Sequence, residues 1–228
     1  AGIPERWGYR GELRAPLLTH PVEFDPRVGE HELFRHLRLV AATGVPLPAV
    51  PDATFPVPEP VRRAARAKLA EAGLDDVPFA AAHVASFAHE AKRWSGERFA
   101  ELFRRLAAAR GLPVVLLGSA AEAAMNARVA ALAAPVRVVD LAGRTSLPDV
   151  LGLVAEAELF VGNDSGLAHL ANAAGTPTTV VFGPTDPDAT RPWDGPRPDG
   201  LPSRLRVVRR RVACAPCRFT RCPPDHAC

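Results

Sequence analysis

From residue 79 onward, apolar runs of strand length alternate with alanine-rich stretches that have helical periodicity. Near-continuous runs of valine, leucine and phenylalanine are typical of strands buried on both faces, and helical crossovers join such strands in parallel. The alternation therefore predicts an α/β fold with a doubly wound parallel sheet. The predicted strands are residues 79–85, 114–117, 136–139, 159–161, 178–182 and 205–208, and the predicted helices are residues 61–72, 97–110, 120–133, 148–157 and 166–174.

Two of the predicted helices begin with a capping box, in which a serine is followed three residues later by an acidic side chain. The pairs are Ser119 with Glu122 and Ser146 with Asp149. In a capping box each residue satisfies a backbone N–H group of the other, so the pattern indicates a helix start.

Residues 1–58 differ from the rest of the chain in their sequence pattern, and a proline-rich stretch, VPLPAVPDATFPVPEP, covers positions 45–60. Proline lacks the backbone N–H and fixes φ, so this density excludes a helix and indicates an extended linker. A domain takes about 100–200 residues, and a chain of 228 residues therefore fits one complete domain and a piece of another. We predict that residues 1–58 are the end of one domain with its linker, and that residues 59–228 form a complete domain.

The composition excludes several classes of protein. Hydrophobic residues make up 47% of the chain and charged residues 23%, as in globular proteins with a core. No apolar run approaches the roughly 18 residues that a membrane span needs, and the N-terminus has no signal-peptide pattern, so we expect a cytoplasmic protein. The net charge of +3 is the difference between 28 basic and 25 acidic residues spread along the chain, which predicts no nucleic-acid partner.

In a doubly wound sheet, ligands bind beyond the carboxyl ends of the strands, so the loops after the predicted strands form the candidate site. The chain has no G-x-G-x-x-G, Walker A, H-E-x-x-H or G-x-S-x-G motif, which argues against a dehydrogenase, an NTPase, a zinc protease and an α/β-hydrolase. The loops are residues 86–95, 118–122, 142–146, 162–169 and 183–193.

The loop VGNDSGLAHL indicates an anion site. Asp164, Ser165 and Gly166 follow a predicted strand and open a helix. The first N–H groups of a helix have no partner inside it, and its dipole favours a negative charge. The structural alternative is that Asp164 or Ser165 only caps the helix. His169 lies one turn further along, where a histidine is usually a surface residue.

Two other loops contribute candidates of lower specificity. Lys92 could reach a phosphate with its ammonium group, and Ser86 lies where the strand before it ends. Glu122 lies at the carboxyl edge of a strand, where it could meet a ribose hydroxyl. Lys92 also fits a solvated surface charge, and Glu122 also fits the capping box alone.

All four cysteines lie in the last fifteen residues, at Cys214, Cys217, Cys222 and Cys228. Four thiolates can close a tetrahedral zinc site, but only the first pair has the spacing of a zinc knuckle. A cytoplasmic setting disfavours disulfides. A structural zinc, reduced thiols and disulfides all stay open. We expect this strap, residues 214–228, to fasten the C-terminal end of the domain rather than to catalyse a reaction.

Four segments carry a family resemblance: AKRWSGERFAEL, DLAGRTSLPDVLGLVAEAELF, VGNDSGLAHLANAAGTPTTVVFGPTDP and CAPCRFTRCPPDHAC. Together they resemble the heptosyltransferases, glycosyltransferase family nine, and AGIPERWGYRGELRAPLLTH is similar to the end of that family's N-terminal domain. The resemblance implies a GT-B architecture of two Rossmann-like domains, of which this chain holds the C-terminal half. It also implies an inverting, metal-independent glycosyltransferase, which transfers a heptose from ADP-heptose to the lipopolysaccharide inner core or a related glycan.

The resemblance further implies roles for individual residues. Lys92 matches a lysine that neutralises phosphate charge, and Ser86 falls beside it. Glu122 is similar to an acidic residue that binds the ribose hydroxyls, while Thr145 and Ser146 fall on the loop beside the adenine. The family's donor-binding motif, whose acidic residue and helix start hold the sugar and the diphosphate, is matched by Asp164, Ser165, Gly166, Leu167, Ala168 and His169.

The family's general base is an aspartate near the start of the N-terminal domain, which this sequence does not include. We therefore expect a fragment whose catalytic residue lies outside it and which requires no cofactor for catalysis. The implied partners are a nucleotide-sugar donor and a glycolipid acceptor, with peripheral association at the inner face of the membrane through the acceptor. Two alternatives stay open: a non-catalytic nucleotide-binding or interaction module on the same fold, and a transferase that uses another nucleotide sugar.

Overall fold

The computed structural model describes residues 2–11, 13–23, 29–86, 90–195, 202–217, 219–222 and 228. The chain divides into two compact units, Ala1–Pro51 with Asp188–Thr190, and Asp52–Pro187 with Arg191–Cys228. The domain boundary predicted near residue 58 lies a little after this division and stays a prediction. None of the helices formed by the described residues is long and apolar enough to cross a membrane.

In the first unit, the described residues before Pro51 form a two-stranded parallel sheet and one α-helix. Strand β1 (Trp7–Tyr9) pairs with β2 (His20–Val22), and the ring of Trp7 stacks on that of His20 at a centroid distance of 4.1 Å. Helix α1 (Glu32–Ala42) is capped by His31, whose Nδ1 accepts a hydrogen bond from the N–H of Leu33. A side-chain acceptor at this position satisfies one of the free N–H groups, which explains where the helix starts.

The second unit is built on a sheet of six parallel strands. They are β3 (Ala80–His83), β4 (Val114–Leu116), β5 (Val138–Asp140), β6 (Leu159–Asn163), β7 (Thr178–Phe182) and β8 (Leu205–Arg209), in the order β5-β4-β3-β6-β7-β8. The chain runs outward from β3 to β5, returns to the centre, and runs outward again from β6 to β8. The predicted doubly wound parallel sheet is confirmed. Its strand order reverses between β3 and β6, the place where such sheets bind ligands.

Helices of the second unit follow the predicted pattern. The predicted helix 120–133 begins as a 3-10 turn over residues 120–122, because Glu122 folds back onto the N–H and the hydroxyl of Ser119. Both predicted capping boxes are confirmed. The helices are α2 (Glu59–Glu71), α3 (Gly96–Arg110), α4 (Ala123–Leu132), α5 (Leu147–Glu156) and α6 (Gly166–Ala173). The short helix α7 (Pro187–Thr190) spans a division between the units, since Asp188–Thr190 are assigned to the first.

Two hydrophobic cores join the helices to the sheet. One packs α2, α5 and α6 around Leu153 and Phe160, and the other packs α3 and α4 around Phe99 and Phe103. The central strand β3 reads Ala-Ala-Ala-His and is buried throughout. Because side chains alternate along a strand, its small residues face both cores and let helices approach from each side.

Gly152 allows α2 and α5 to pack closely. A Cβ at this position would lie 2.6 Å from the carbonyl oxygen of Val61 and 2.8 Å from the Cβ of Ala65. We expect Gly152→Ala to lower the free energy of unfolding by about 1–3 kcal/mol, although alanine is the better helix former by about 1 kcal/mol. Urea unfolding measures the change. Gly29→Ala is the control, because a Cβ there meets no atom within 4 Å. Unchanged stability of Gly152→Ala would contradict the packing argument.

Candidate active site

The carboxyl ends of the central strands surround a cavity of about 490 Å3, where the strand order reverses. Cavities of this size bind small molecules. Nine of the eleven predicted donor contacts line it, namely Ser86, Lys92, Glu122, Thr145, Ser146, Asp164, Ser165, Gly166 and Leu167. The other lining residues that the structure describes are His83, Gly118, Ser119, Leu147 and Val150.

Two residues of the matched donor motif do not line this cavity. Ala168 is fully buried in the core that α6 forms with α2 and α5. His169 is exposed. The first residues of α6 meet the cavity, and the helical period then turns Ala168 toward the sheet, so only part of the contiguous motif reaches the site.

Lys92 and Asp164 form the charged centre of the cavity. The Nζ atom of Lys92 lies 2.7 Å from Oδ2 of Asp164, which also accepts a hydrogen bond from Oγ1 of Thr185 at 2.8 Å. The side chain of Asp164 is 7% exposed and that of Lys92 is 22% exposed. A buried carboxylate thus holds the ammonium group in one place, and Lys92 is not the freely solvated charge of the structural alternative.

Ser86 lies at the start of the loop that carries Lys92. It is almost fully buried, and its carbonyl oxygen accepts hydrogen bonds from Nε and Nη2 of Arg93 at 3.3 and 3.2 Å. These bonds tie the beginning of the loop to its end. Residues 87–89 of the predicted loop 86–95 lie outside the described residues.

Asn163 fixes the same loop to strand β6. Its side chain is fully buried, and Nδ2 donates to the carbonyl oxygens of Val84 and Ala85 at 3.0 and 3.3 Å. Its Oδ1 accepts a hydrogen bond from the N–H of Trp94 at 2.9 Å. The amide therefore holds the loop that carries the lysine of the cavity against the strand that leads to its aspartate.

Helix α6 begins at the cavity without a side-chain cap. Ser165 occupies the N-cap position, but its side chain makes no capping hydrogen bond, and its Oγ lies 3.0 Å from Nδ1 of His83. A Cβ at Gly166 would meet no atom within 4 Å, so the helix start is open. Uncapped N–H groups and the helix dipole favour an anion at this end. The alternative that Ser165 serves only as a cap is wrong for this helix.

His83 joins Ser165 to Glu122. Its Nε2 atom lies 3.4 Å from Oε1 of Glu122, whose Oε2 accepts from the N–H and the hydroxyl of Ser119 at 2.7 and 2.9 Å. The hydrogen bond with His83 is the largest cause that lowers the pKa of Glu122 to about 2; burial opposes it, and the bonds from Ser119 add to it. Glu122 is therefore an ionised carboxylate at neutral pH that both caps a helix and faces the cavity.

The lowered pKa of Glu122 makes stability depend on pH. A carboxyl whose pKa falls from 4.5 in the unfolded chain to about 2 in the folded one stabilises the fold above about pH 4.5, and this contribution disappears as the pH falls toward 2. We expect Glu122→Gln to lose up to about 3 kcal/mol at neutral pH, from 1.36 kcal/mol per pKa unit. The loss should shrink between about pH 4.5 and 2.

Urea unfolding of wild type and Glu122→Gln at several pH values between 7 and about 2 measures this dependence. Glu71→Gln, which removes an exposed carboxylate at the end of α2, is the matched control. A stability difference between Glu122→Gln and wild type that stays constant over the whole pH range would contradict the assignment.

Thr145 and Ser146 lie in the loop before α5 and differ in what they offer a ligand. The Oγ1 atom of Thr145 is buried and has no hydrogen-bond partner among the described residues. A buried hydroxyl without a partner is unfavourable, so a polar ligand atom in the cavity would satisfy it. Ser146 is already engaged, because its Oγ donates to Oδ2 of Asp149 at 2.7 Å in the capping box.

The four cysteines form no disulfide. Among the residues described, no three histidine, cysteine or acidic side chains are grouped to hold a metal ion, and residues 218 and 223–227 of the strap lie outside that set. The strap is attached through its backbone: the N–H of Cys217 donates to the carbonyl of Pro184 at 2.7 Å, and that of Ala91 donates to the carbonyl of Thr220 at 3.0 Å. Burial raises the pKa of the Cys228 thiol, which lines a second cavity of about 220 Å3.

Sequence reasoning missed three residues of the site, His83, Asn163 and Thr185. His83 ends strand β3 at the ligand-binding edge of the sheet, so the positional rule that selected Ser86 would also have found it. Thr185 lies within the predicted loop 183–193, but no local pattern distinguishes it there. Asn163 contacts backbone groups 69 to 79 positions away, which only the folded sheet brings together.

Comparison with known proteins places the chain among sugar transferases. The family model described as glycosyltransferase family 9 (heptosyltransferase) matches residues 1–225. Lipopolysaccharide heptosyltransferase 2 of Salmonella typhimurium is 32% identical over 217 residues, which cover 92% of this chain and 60% of that protein. The chain thus spans about 60% of the length of this curated relative.

Solved structures share the fold. The structure of E. coli ADP-heptose lipopolysaccharide heptosyltransferase II matches with a TM-score of 0.76 and 29% identity, covering 94% of this chain and 64% of that one. A family 9 glycosyl transferase from Veillonella parvula matches with a TM-score of 0.73 and 21% identity, covering 92% and 57%. These likenesses confirm the α/β fold class predicted from the sequence, the Rossmann-like C-terminal half of a GT-B fold.

Proposed function

Because the chain belongs to glycosyltransferase family 9, the heptosyltransferases, we propose that it binds the donor in the transfer of a heptose from ADP-heptose to a lipopolysaccharide inner-core or related glycan acceptor. We further propose that the transfer inverts the configuration at the anomeric carbon of the heptose and requires no metal ion. A glycolipid acceptor would place the reaction at the cytoplasmic face of the inner membrane. The E. coli protein of similar structure is described as an ADP-heptose transferase, which supports this donor.

The observation that carries the proposal is the convergence of a held ammonium group, an uncapped helix start and an ionised carboxylate on one cavity. We assign the diphosphate to Lys92 and the first N–H groups of α6, since both offer positive charge. We assign the ribose hydroxyls to Glu122, a hydrogen-bond acceptor. We assign the buried hydroxyl of Thr145 to a hydrogen bond with the base or the ribose of the nucleotide.

In the proposed displacement, an acceptor hydroxyl oxygen forms a bond to the anomeric carbon of the heptose on the side opposite to ADP. The bond from that carbon to the diphosphate oxygen breaks, and its electron pair leaves with ADP. Negative charge develops on the diphosphate, where Lys92 and the start of α6 stabilise it. The proton of the acceptor hydroxyl goes to a base that we assign to no residue of this chain.

The role of Lys92 is tested by binding of ADP. The chain has two lysines, Lys92 in the cavity and Lys68 on α2, which gives a matched pair of variants. We expect Lys92→Gln to weaken ADP binding by about 1.5–3 kcal/mol, or tenfold to a hundredfold, because a charged contact to phosphate is lost. Lys68→Gln should bind ADP like the wild type. Isothermal titration calorimetry measures both, and equal affinities of the two variants would remove Lys92 from the site.

A panel of nucleotides separates the open alternatives. We expect ADP to bind more tightly than UDP, GDP or CDP, and ADP-heptose to bind at least as tightly as ADP. Tighter binding of another nucleoside diphosphate would replace the donor assignment by a different nucleotide sugar. No nucleotide binding at all would favour the non-catalytic interaction module.

A further inference from the structure

Positive charge is concentrated near the C-terminal end of the chain. Residues 201–222 contain seven arginines and no acidic residue, whereas the remaining residues contain 21 basic and 25 acidic side chains, a net charge of −4. The expectation that charge is spread along the chain is therefore wrong. A segment that carries charges of a single sign creates a strong local electrostatic potential, which favours a partner of opposite charge.

Strand β8, at the edge of the six-stranded sheet, carries two of these arginines, Arg206 and Arg209, and two more follow it directly. Leu205 and Val207 pack against the core, whereas Arg206 and Val208 are exposed. Arg210, directly after the strand, is exposed as well. The outer side of the edge therefore presents an apolar side chain, 52% exposed, between two arginines.

The arginines of this edge have few partners of their own. The side chains of Arg206, Arg210 and Arg211 make no hydrogen bond or ion pair with any residue that the structure describes. Arg209 lies 4.0 Å from Oδ1 of Asp186. Arg209, Arg210 and Arg211, which are consecutive, also line a cavity of about 270 Å3. A cavity of this size has room for a phosphate, a group that arginine binds strongly.

We propose that this basic edge, defined as Arg206, Val208, Arg209, Arg210 and Arg211, docks onto an anionic phospholipid bilayer. Clusters of four to eight basic residues attract the negative surface of such membranes, and arginine recognises the phosphate of lipid headgroups. The choice of a bilayer rests in part on the proposed function, whose acceptor is a glycolipid.

Exposed apolar side chains within the same segment favour a bilayer over a nucleic acid. Val208 lies between the arginines, and Phe219, 58% exposed, follows in the sequence. Apolar and aromatic side chains next to basic ones insert into the interface between headgroups and acyl chains. An exposed valine adds little to the binding of a phosphate backbone, which depends on charge.

Arginine on an edge strand also has a structural use, because it discourages pairing with the edge of another sheet. That use accounts for Arg206, which lies within β8. It does not account for Arg210 and Arg211, which lie beyond the strand.

Cosedimentation of the purified chain with lipid vesicles tests the proposal. We expect binding to vesicles of equal parts phosphatidylglycerol and phosphatidylcholine at low salt, little binding to pure phosphatidylcholine, and weaker binding as salt screens the charges. The triple variant Arg206→Gln, Arg210→Gln, Arg211→Gln should bind at least about tenfold more weakly, since each arginine near a membrane strengthens binding about fivefold. A circular dichroism spectrum and a thermal unfolding midpoint like those of the wild type show that the variant is folded.

The control is a second triple variant, Arg63→Gln, Arg105→Gln, Arg128→Gln, which removes the same amount of positive charge from α2, α3 and α4. This variant should bind vesicles like the wild type. Equal losses in the two triple variants, no binding of the wild type to anionic vesicles, or tighter binding to an oligonucleotide than to vesicles would each overturn the proposal. The vesicle assay contains neither donor nor acceptor. A failure to bind vesicles would therefore overturn the membrane proposal and leave the proposed ADP site standing. A failure to bind ADP would overturn the ADP site without changing the vesicle result.

Discussion

The buried amide of Asn163 is the interaction on which the geometry of the site depends. Parallel strands give the sheet its register, but the loop after β3 has no ladder to hold it once the strand has ended. The side chain of Asn163, which donates two hydrogen bonds and accepts one, attaches the loop to the neighbouring strand instead. Because the amide is fully buried, any loss of these bonds would leave polar groups without partners, so the arrangement is strongly specified.

Several residues of the cavity serve the fold and the site together. Glu122 caps its helix and still presents a charged carboxylate, and Asp164 positions a lysine while it accepts from Thr185. A carboxylate has about four lone-pair positions, so structural bonds do not use up its capacity. The structural and functional interpretations of these side chains, which compete when they are considered from sequence alone, are therefore compatible in the folded protein.

The sheet and most of the cavity were predictable from the sequence because both follow from local patterns. Buried runs predict strands, and the rule that ligands bind at their carboxyl ends selects Ser86, Lys92, Glu122 and the loop at 164–167. Contacts between distant residues were not predictable: the bond between His83 and Ser165 joins positions 82 apart. Motif matching also selected Ala168, which the helical period turns into the core. The uneven distribution of charge along the chain was also readable from the sequence, but the small net charge of the whole chain does not reveal it.

The open start of α6 links local stability to ligand binding. A side chain that capped this helix, as Ser146 caps α5, would strengthen the fold by about 1 kcal/mol. The same side chain would occupy the N–H groups that an anion needs. A capping side chain would therefore make this helix start more stable but would weaken its binding of an anion. Selection for thermal stability alone would be expected to close this site, so its open form marks a compromise between stability and binding.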